Sequence, residues 1–221
     1  MLKVQEAQPF NAQQLQELKK LVARGEGLTL EFKRKVAHPE KIAKEFVALA
    51  NTKGGIILIG VDDDGTVYGV KHAEGESHAL REALKACKPA IPFQESFIPV
   101  SDTKLVIRYD VMESESKPHS IKEHDGIHAY VRVHEKSMKA SRQMCEVLRR
   151  SRKKTDVQFT FGEPEKLLMQ YLETHKTITF KECSKLLKIN PWKTSRKLVL
   201  LVLADVLQLI PSEKGDLYIR K

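Results

Sequence analysis

The chain has 221 residues, 41% hydrophobic and 30% charged, with a formal charge of +9. That length suits one large or two small domains with real cores, and the positive balance points to a polyanionic partner. Three widely spaced cysteines, Cys87, Cys145 and Cys183, exclude a disulfide framework or zinc spacing and fit a reducing, intracellular, cytoplasmic setting; no apolar run reaches the ~18 residues of a membrane span, and the opening MLKVQEAQPFNAQQ lacks the apolar core of a signal peptide.

Asn11 is placed to cap a helix running to about Arg24, with Leu15, Leu18, Leu21 and Val22 on one face. A short strand follows around Leu30–Lys33. Glu31 and Lys33 share one of its faces, and Leu30 and Phe32 take the other. Glu26 precedes it, between Gly25 and Gly27, where the backbone bends freely. Pro39 suits the first turn of a second helix, whose stripe of Ile42, Ala43, Phe46, Val47 and Ala50 leaves Lys41, Lys44 and Glu45 outward. Asn51-Thr52-Lys53-Gly54-Gly55 closes that helix with glycines fit for a left-handed cap. Ile56–Val61 is a continuous apolar run, the pattern of a strand buried on both faces. It ends at Asp62-Asp63-Asp64-Gly65, a hairpin signal before Thr66–Val70. A helix from about Ser77 to Cys87, strands Phe93–Val100 and Lys104–Val111, a strand Ile127–Val133 and a helix from about Ser141 to Arg150 complete an α+β domain with a mixed or antiparallel sheet.

These residues resemble a known family. E-x4-E-F-K, then an amphipathic helix ending ANTKGG, then a strand ending GVDD-x-G is similar to the nucleic-acid-binding core of the Schlafen family, over about residues 20–145. The resemblance implies an Alba-type mixed sheet with flanking helices, shared with prokaryotic Schlafen-like transcriptional regulators. In Schlafen ribonucleases two glutamates and an aspartate of this motif hold a divalent metal; by position these are Glu26, Glu31 and Asp63. Those ribonucleases carry two copies of the core, so this chain, with one, is expected to act as a homodimer. Tyr130-Val131-Arg132-Val133 resembles the family's late Y-x-R segment.

The chemistry of these residues has two readings. An all-oxygen ligand set favours Mg²⁺ or Mn²⁺, which would activate a water while Lys33 stabilises developing charge as a further catalytic group. Alternatively Glu26 is a loop residue, Glu31 pairs with Lys33 or Lys35, and Asp62–Asp64 form a turn; Asp62 and Asp63 also compete for the third position. Arg132 either reaches a phosphate bidentately or makes a salt bridge to the acidic residues. Lys136 and Lys139 follow it as candidate phosphate contacts. His119, His124, His128 and His134 lack metal-site spacing. The glycines after Asn51 follow a helix instead of opening one and lack a GKS element, so no ATP site is expected.

The basic run Arg149–Lys154 reads as a linker or a phosphate contact, with Arg149, Arg150 and Arg152 as candidates. Domains are expected over 1–145 and 161–221, joined by a basic linker over 146–160. The order beyond the linker is helix Glu163–Thr174, strand Thr177–Thr179, helix Lys181–Leu187, helix Pro191–Leu207 and a hairpin, that of a winged helix. Sixteen basic residues against nine acidic ones lie after position 145, a net +7. Lys193, Arg196 and Lys197 open the third helix, the end that enters a major groove in winged helices. That helix is apolar beyond Lys197 and offers a two-fold interface, and Val206 stands where winged helices often have glycine. The expected function is a DNA-binding transcriptional regulator; a metal-dependent endoribonuclease acting on tRNA or structured RNA is the alternative, and an interaction module the third.

Overall fold

The apolar stripe after Pro39 is the hub of the fold in the computed structural model, which describes residues 12–151 and 161–221. The cap expected at Asn11, and Arg152 with the rest of the linker to residue 160, lie outside the described residues. The chain divides into two units. The first runs through Ser114 and resumes over His119–Ser137; the second is Met138–Lys221 with Glu115–Pro118.

The first unit has α1 (Ala12–Val22), β1 (Leu30–Lys33), α2 (Pro39–Asn51), β2 (Gly55–Ile59), α3 (Ala73–Leu84), β3 (Cys87–Lys88), β4 (Phe93–Ser101), β5 (Lys104–Val111), β6 (Ser120–Glu123), β7 (Gly126–His128) and β8 (Tyr130–Val133); β9 (Lys136–Lys139) pairs with β8. The main sheet has order β1-β2-β5-β4. β1 and β2 are parallel, the other pairs antiparallel, so the sheet is mixed, as expected for an α+β fold.

β2 is buried on both faces because alternate residues serve different cores. Ile57 and Ile59 join Phe46, Val47 and Tyr109 on the α2 side. Leu58 joins Leu18, Val22, Leu30 and Phe32 on the α1 side. Register sets Glu31 opposite Ile57, which turns Glu31 and Lys33 toward α2. The glycines after Asn51 permit close packing: at Gly54, with φ +67°, a Cβ would lie 2.6 Å from Val111 O and Glu113 N.

Three boundaries differ from the sequence reading. Thr66–Val70 does not form a ladder; isolated bridges join Val61 to Val67 and Val70 to Leu105. The helix expected to reach Cys87 stops at Leu84, since Cys87 pairs with Ile121. The strand expected over Ile127–Val133 divides at Ala129, where the chain leaves the β6 ladder for β9.

The second unit has α4 (Arg142–Ser151), α5 (Glu163–His175), β10 (Thr177–Thr179), α6 (Phe180–Leu187), α7 (Pro191–Leu203), β11 (Leu207–Ile210) and β12 (Leu217–Arg220), with an antiparallel sheet β10-β12-β11. α4 belongs here and not to the first domain or a linker, because Met144 and Val147 pack on the cluster of Leu168, Cys183, Leu198, Leu201 and Tyr218. α7 ends at Leu203, short of Leu207. The turn residue in place of a glycine is Asp205, φ +62°, a type that tolerates the left-handed region. α7 spends Leu198, Val199 and Leu201 on its own core, which removes the sequence ground for a two-fold apolar interface. Among the described residues no helix is long and apolar enough to cross a membrane.

Candidate nucleic-acid interface

Asn51 and Thr52 position the first candidate site. The buried Asn51 amide donates to His119 O and Tyr130 O, both at 2.9 Å, and accepts from His119 N at 2.7 Å. Thr52 Oγ1 accepts from the Arg132 N–H at 2.9 Å. The end of α2 thus clamps β6 and β8 and delivers the Arg132 side chain under β1.

Arg132 is 4% exposed. Its guanidinium donates to Glu31 Oε2 at 2.8 Å, Glu45 Oε2 at 2.7 Å and Gly27 O at 2.6 Å. Glu31, 5% exposed, gives its other oxygen to Lys33 Nζ, which also donates to Phe32 O at 2.7 Å. Ser137 Oγ donates to Glu45. The buried Arg132 and Glu31 and the half-buried Lys33 and Glu45 form one network, in which the desolvated charges are paired. Arg132 is therefore the salt bridge of the two alternatives: a phosphate reaches it only by displacing Glu31 or Glu45. Glu45, read from the helix stripe as outward, is a member that sequence reasoning missed.

Burial and Glu31 push the Glu45 carboxyl up, against Ser137, Arg132 and Lys33. Burial pulls the Lys33 amine down but is outweighed by Glu31, Glu26 and Glu45, so its net shift is upward. Glu26 accepts the Phe32 N–H at 2.7 Å. Its carboxyl is raised by burial, with Glu31 and Asp63 adding to the rise and the Phe32 N–H opposing it.

Glu26, Glu31, Lys33 and Asp63 thus share one electrostatic neighbourhood, but the carboxylates do not converge. Among the described residues, the group of three potential ligand atoms within 4.8 Å of one another is Glu123, Asp125 and His128. Those groups are engaged too: Glu123 with Lys44 and, at 2.5 Å, the Tyr130 hydroxyl, and His128 with Asp125 at 2.9 Å. Asp63 is exposed in a turn whose frame is Asp62 Oδ1 to the Asp63 N–H, 3.1 Å, and Asp64 Oδ1 to the Thr66 N–H, 2.8 Å. The chain's own cations stand where the resemblance implies a metal, and as arranged the residues do not fit one.

A raised carboxyl binds protons more readily folded than unfolded, so its contribution falls as pH rises through and above about 4.5. Glu26→Gln keeps an acceptor for Phe32 and removes the charge. It is expected to gain stability relative to wild type between pH 4 and 7, read from urea melts; a difference independent of pH contradicts the raised carboxyl.

In the second unit Asn190 caps α7 by accepting the Lys193 N–H at 2.8 Å, with Pro191 in the first turn. Trp192, 63% exposed, and the exposed Lys193 and Arg196 project from that end, the Arg196 guanidinium 5.6 Å from the Trp192 ring centre. Lys197 does not join them; it pairs with the buried Glu165 of α5. α4 runs beside α7, Gln143 donating to Ser195 at 3.1 Å. Between them lies a groove of about 990 Å³ lined by Arg142, Arg149, Arg150, Trp192 and Arg196. Arg149 pairs with Glu146; among the described residues Arg142, Arg150 and Arg196 form no ion pair. Lys136 and Lys139 are exposed on β9. Arg142 was missed by sequence reasoning, although its spacing from Arg149 places both on one helical face.

The Schlafen, AlbA_2 family model matches residues 26–141. No curated protein matches the chain. Among solved structures, the DIP2311 protein from Corynebacterium diphtheriae is 14% identical with a TM-score of 0.46. The match covers 94% of this chain and 38% of that one. With the family match spanning more than half of its residues, the chain belongs to the Schlafen AlbA_2 family, and its first unit is a domain of nucleic-acid-binding type.

Proposed function

We propose that the protein is a nucleic-acid-binding regulator that binds duplex DNA without cutting it. In this reading the second unit is a winged helix: α7 presents its first turn to the major groove, and the α4 arginines take flanking phosphates. The observation that carries it is the pairing of a solvent-facing α7 end, bearing Trp192, Lys193 and Arg196, with Arg142 and Arg150, which form no ion pair among the described residues. Binding without cleavage is supported by Glu31, both of whose oxygens are held by Lys33 and Arg132. The endoribonuclease reading requires Glu31 to leave Arg132 for a metal.

Two measurements test this. Duplex affinity by fluorescence anisotropy is expected to fall about tenfold in Arg196→Ala, the scale of a lost base or phosphate contact. Incubation with tRNA and Mn²⁺ or Mg²⁺ is expected to give no cleavage by wild type or Glu31→Gln. Metal-dependent cleavage lost in Glu31→Gln would establish the enzyme instead.

A further inference from the structure

The first unit has a cationic concavity of its own, lined by none of the residues of the Arg132 network. It measures about 460 Å³ and is lined by Arg34, Lys35, Tyr68, Lys71, His72 and Lys104, with Glu76 as its one carboxylate. Glu76 is engaged by the Val36 N–H. Among the described residues Lys35, Lys71 and Lys104 form no ion pair, and Arg34 makes one long contact, 3.3 Å to Asp62.

Its framework is built. The Tyr68 N–H donates to Gly60 O at 2.9 Å, and Val70 and Leu105 exchange backbone bonds at 2.7 and 3.0 Å. Gly69, φ +65°, brings the loop so near Lys104 that a Cβ there would stand 2.9 Å from Lys104 Cβ. The Arg34 guanidinium lies 4.3 Å from the centre of the Tyr68 ring, with more than half of its side chain in solvent. The guanidinium thus sits over the tyrosine ring at cation–π distance while staying open to solvent, where a further ring can meet it.

We infer that this pocket binds one unpaired nucleotide of a single-stranded nucleic acid, its base stacked on the Arg34–Tyr68 platform and its flanking phosphates held by Lys35, Lys71 and Lys104. A flat platform suits a base of any identity, and point-charged lysines around it suit a backbone. A base inside a duplex offers no free face to such a platform.

The probes are a labelled 12-residue oligothymidylate, an abasic strand of equal length, a duplex and thymidine monophosphate. Wild type is expected to prefer the thymidylate strand to the abasic one about fivefold, the low end of one stacking contact. Arg34→Lys keeps the charge and is expected to abolish that preference. Lys35→Ala with Lys71→Ala is expected to weaken both strands and to lower the salt slope by about 1.4, two phosphates at ~0.7 each. Duplex affinity, which tests the α7 reading separately, is expected to stay within about twofold in all of these variants. An unchanged preference in Arg34→Lys, an unchanged slope in the lysine pair, or full displacement of the strand by the mononucleotide at equal concentration would overturn the proposal.

Discussion

Arg132→Met is expected to cost the first unit about 3–5 kcal/mol, the range for removing one member of a buried ion-paired set. Among the described residues, Glu31 would keep its bond to Lys33, and Glu45 the Ser137 hydroxyl and the more distant charge of Lys33. Methionine fills much of the arginine volume, so the loss measures charge rather than a cavity. Against a total stability of about 5–15 kcal/mol, that is a large share. Adding Glu31→Gln and Glu45→Gln to Arg132→Met is expected to recover part of it, since neutral amides in place of carboxylates need no cation. Urea melts followed by far-UV circular dichroism read the effect. Fluorescence does not, because the single tryptophan, Trp192, is in the other unit. A loss below about 1 kcal/mol would mean that water solvates the network and that its charges behave as surface pairs.

The same network shows where sequence was legible and where it was not. A strand has period two, so placing Glu31 and Lys33 on one face of β1 follows from their spacing alone. The continuous apolar run of β2 foretold two cores because each face needs one. The role of Glu45 was hidden: its helix stripe is a local pattern, whereas its partner Arg132 lies 87 residues away. Lys197 misled for the same reason. It opens a basic helical turn, yet its position is decided by Glu165, 32 residues earlier. The turn at Asp205 was missed because glycine is only the commonest residue in the left-handed region, and aspartate accepts it too. Chain-local periodicity thus gave the elements and their faces, while charge pairing between distant segments decided which ionic residues are free to meet a ligand.

That distinction makes the α4–α7 groove the place where substitution should matter most for binding. Arg142, Arg150 and Arg196 line it without an ion pair among the described residues, and Arg149 is shared with Glu146. The triple substitution Arg142→Ala, Arg150→Ala and Arg196→Ala is expected to weaken duplex binding on the order of 100-fold at ~50 mM salt. Three phosphate contacts carry about 0.9 each in the slope of log affinity against log salt, so the slope should shrink by about 2.7. Between ~50 and ~200 mM the deficit should therefore narrow by about 40-fold. The signature is this convergence at high salt, which misfolding would not produce. Two further substitutions fix the assignment. Glu146→Gln frees Arg149 and is expected to raise affinity about twofold to fivefold, by roughly one added contact partly offset by the ordering of a mobile side chain. Lys197→Met removes a positive charge of the same helix but one already held by Glu165; it is expected to lower the stability of the second unit and leave the salt slope unchanged. If the triple variant alters the slope by less than about one, or Lys197→Met alters it as much, the groove does not carry the phosphate contacts and charge elsewhere on the protein does.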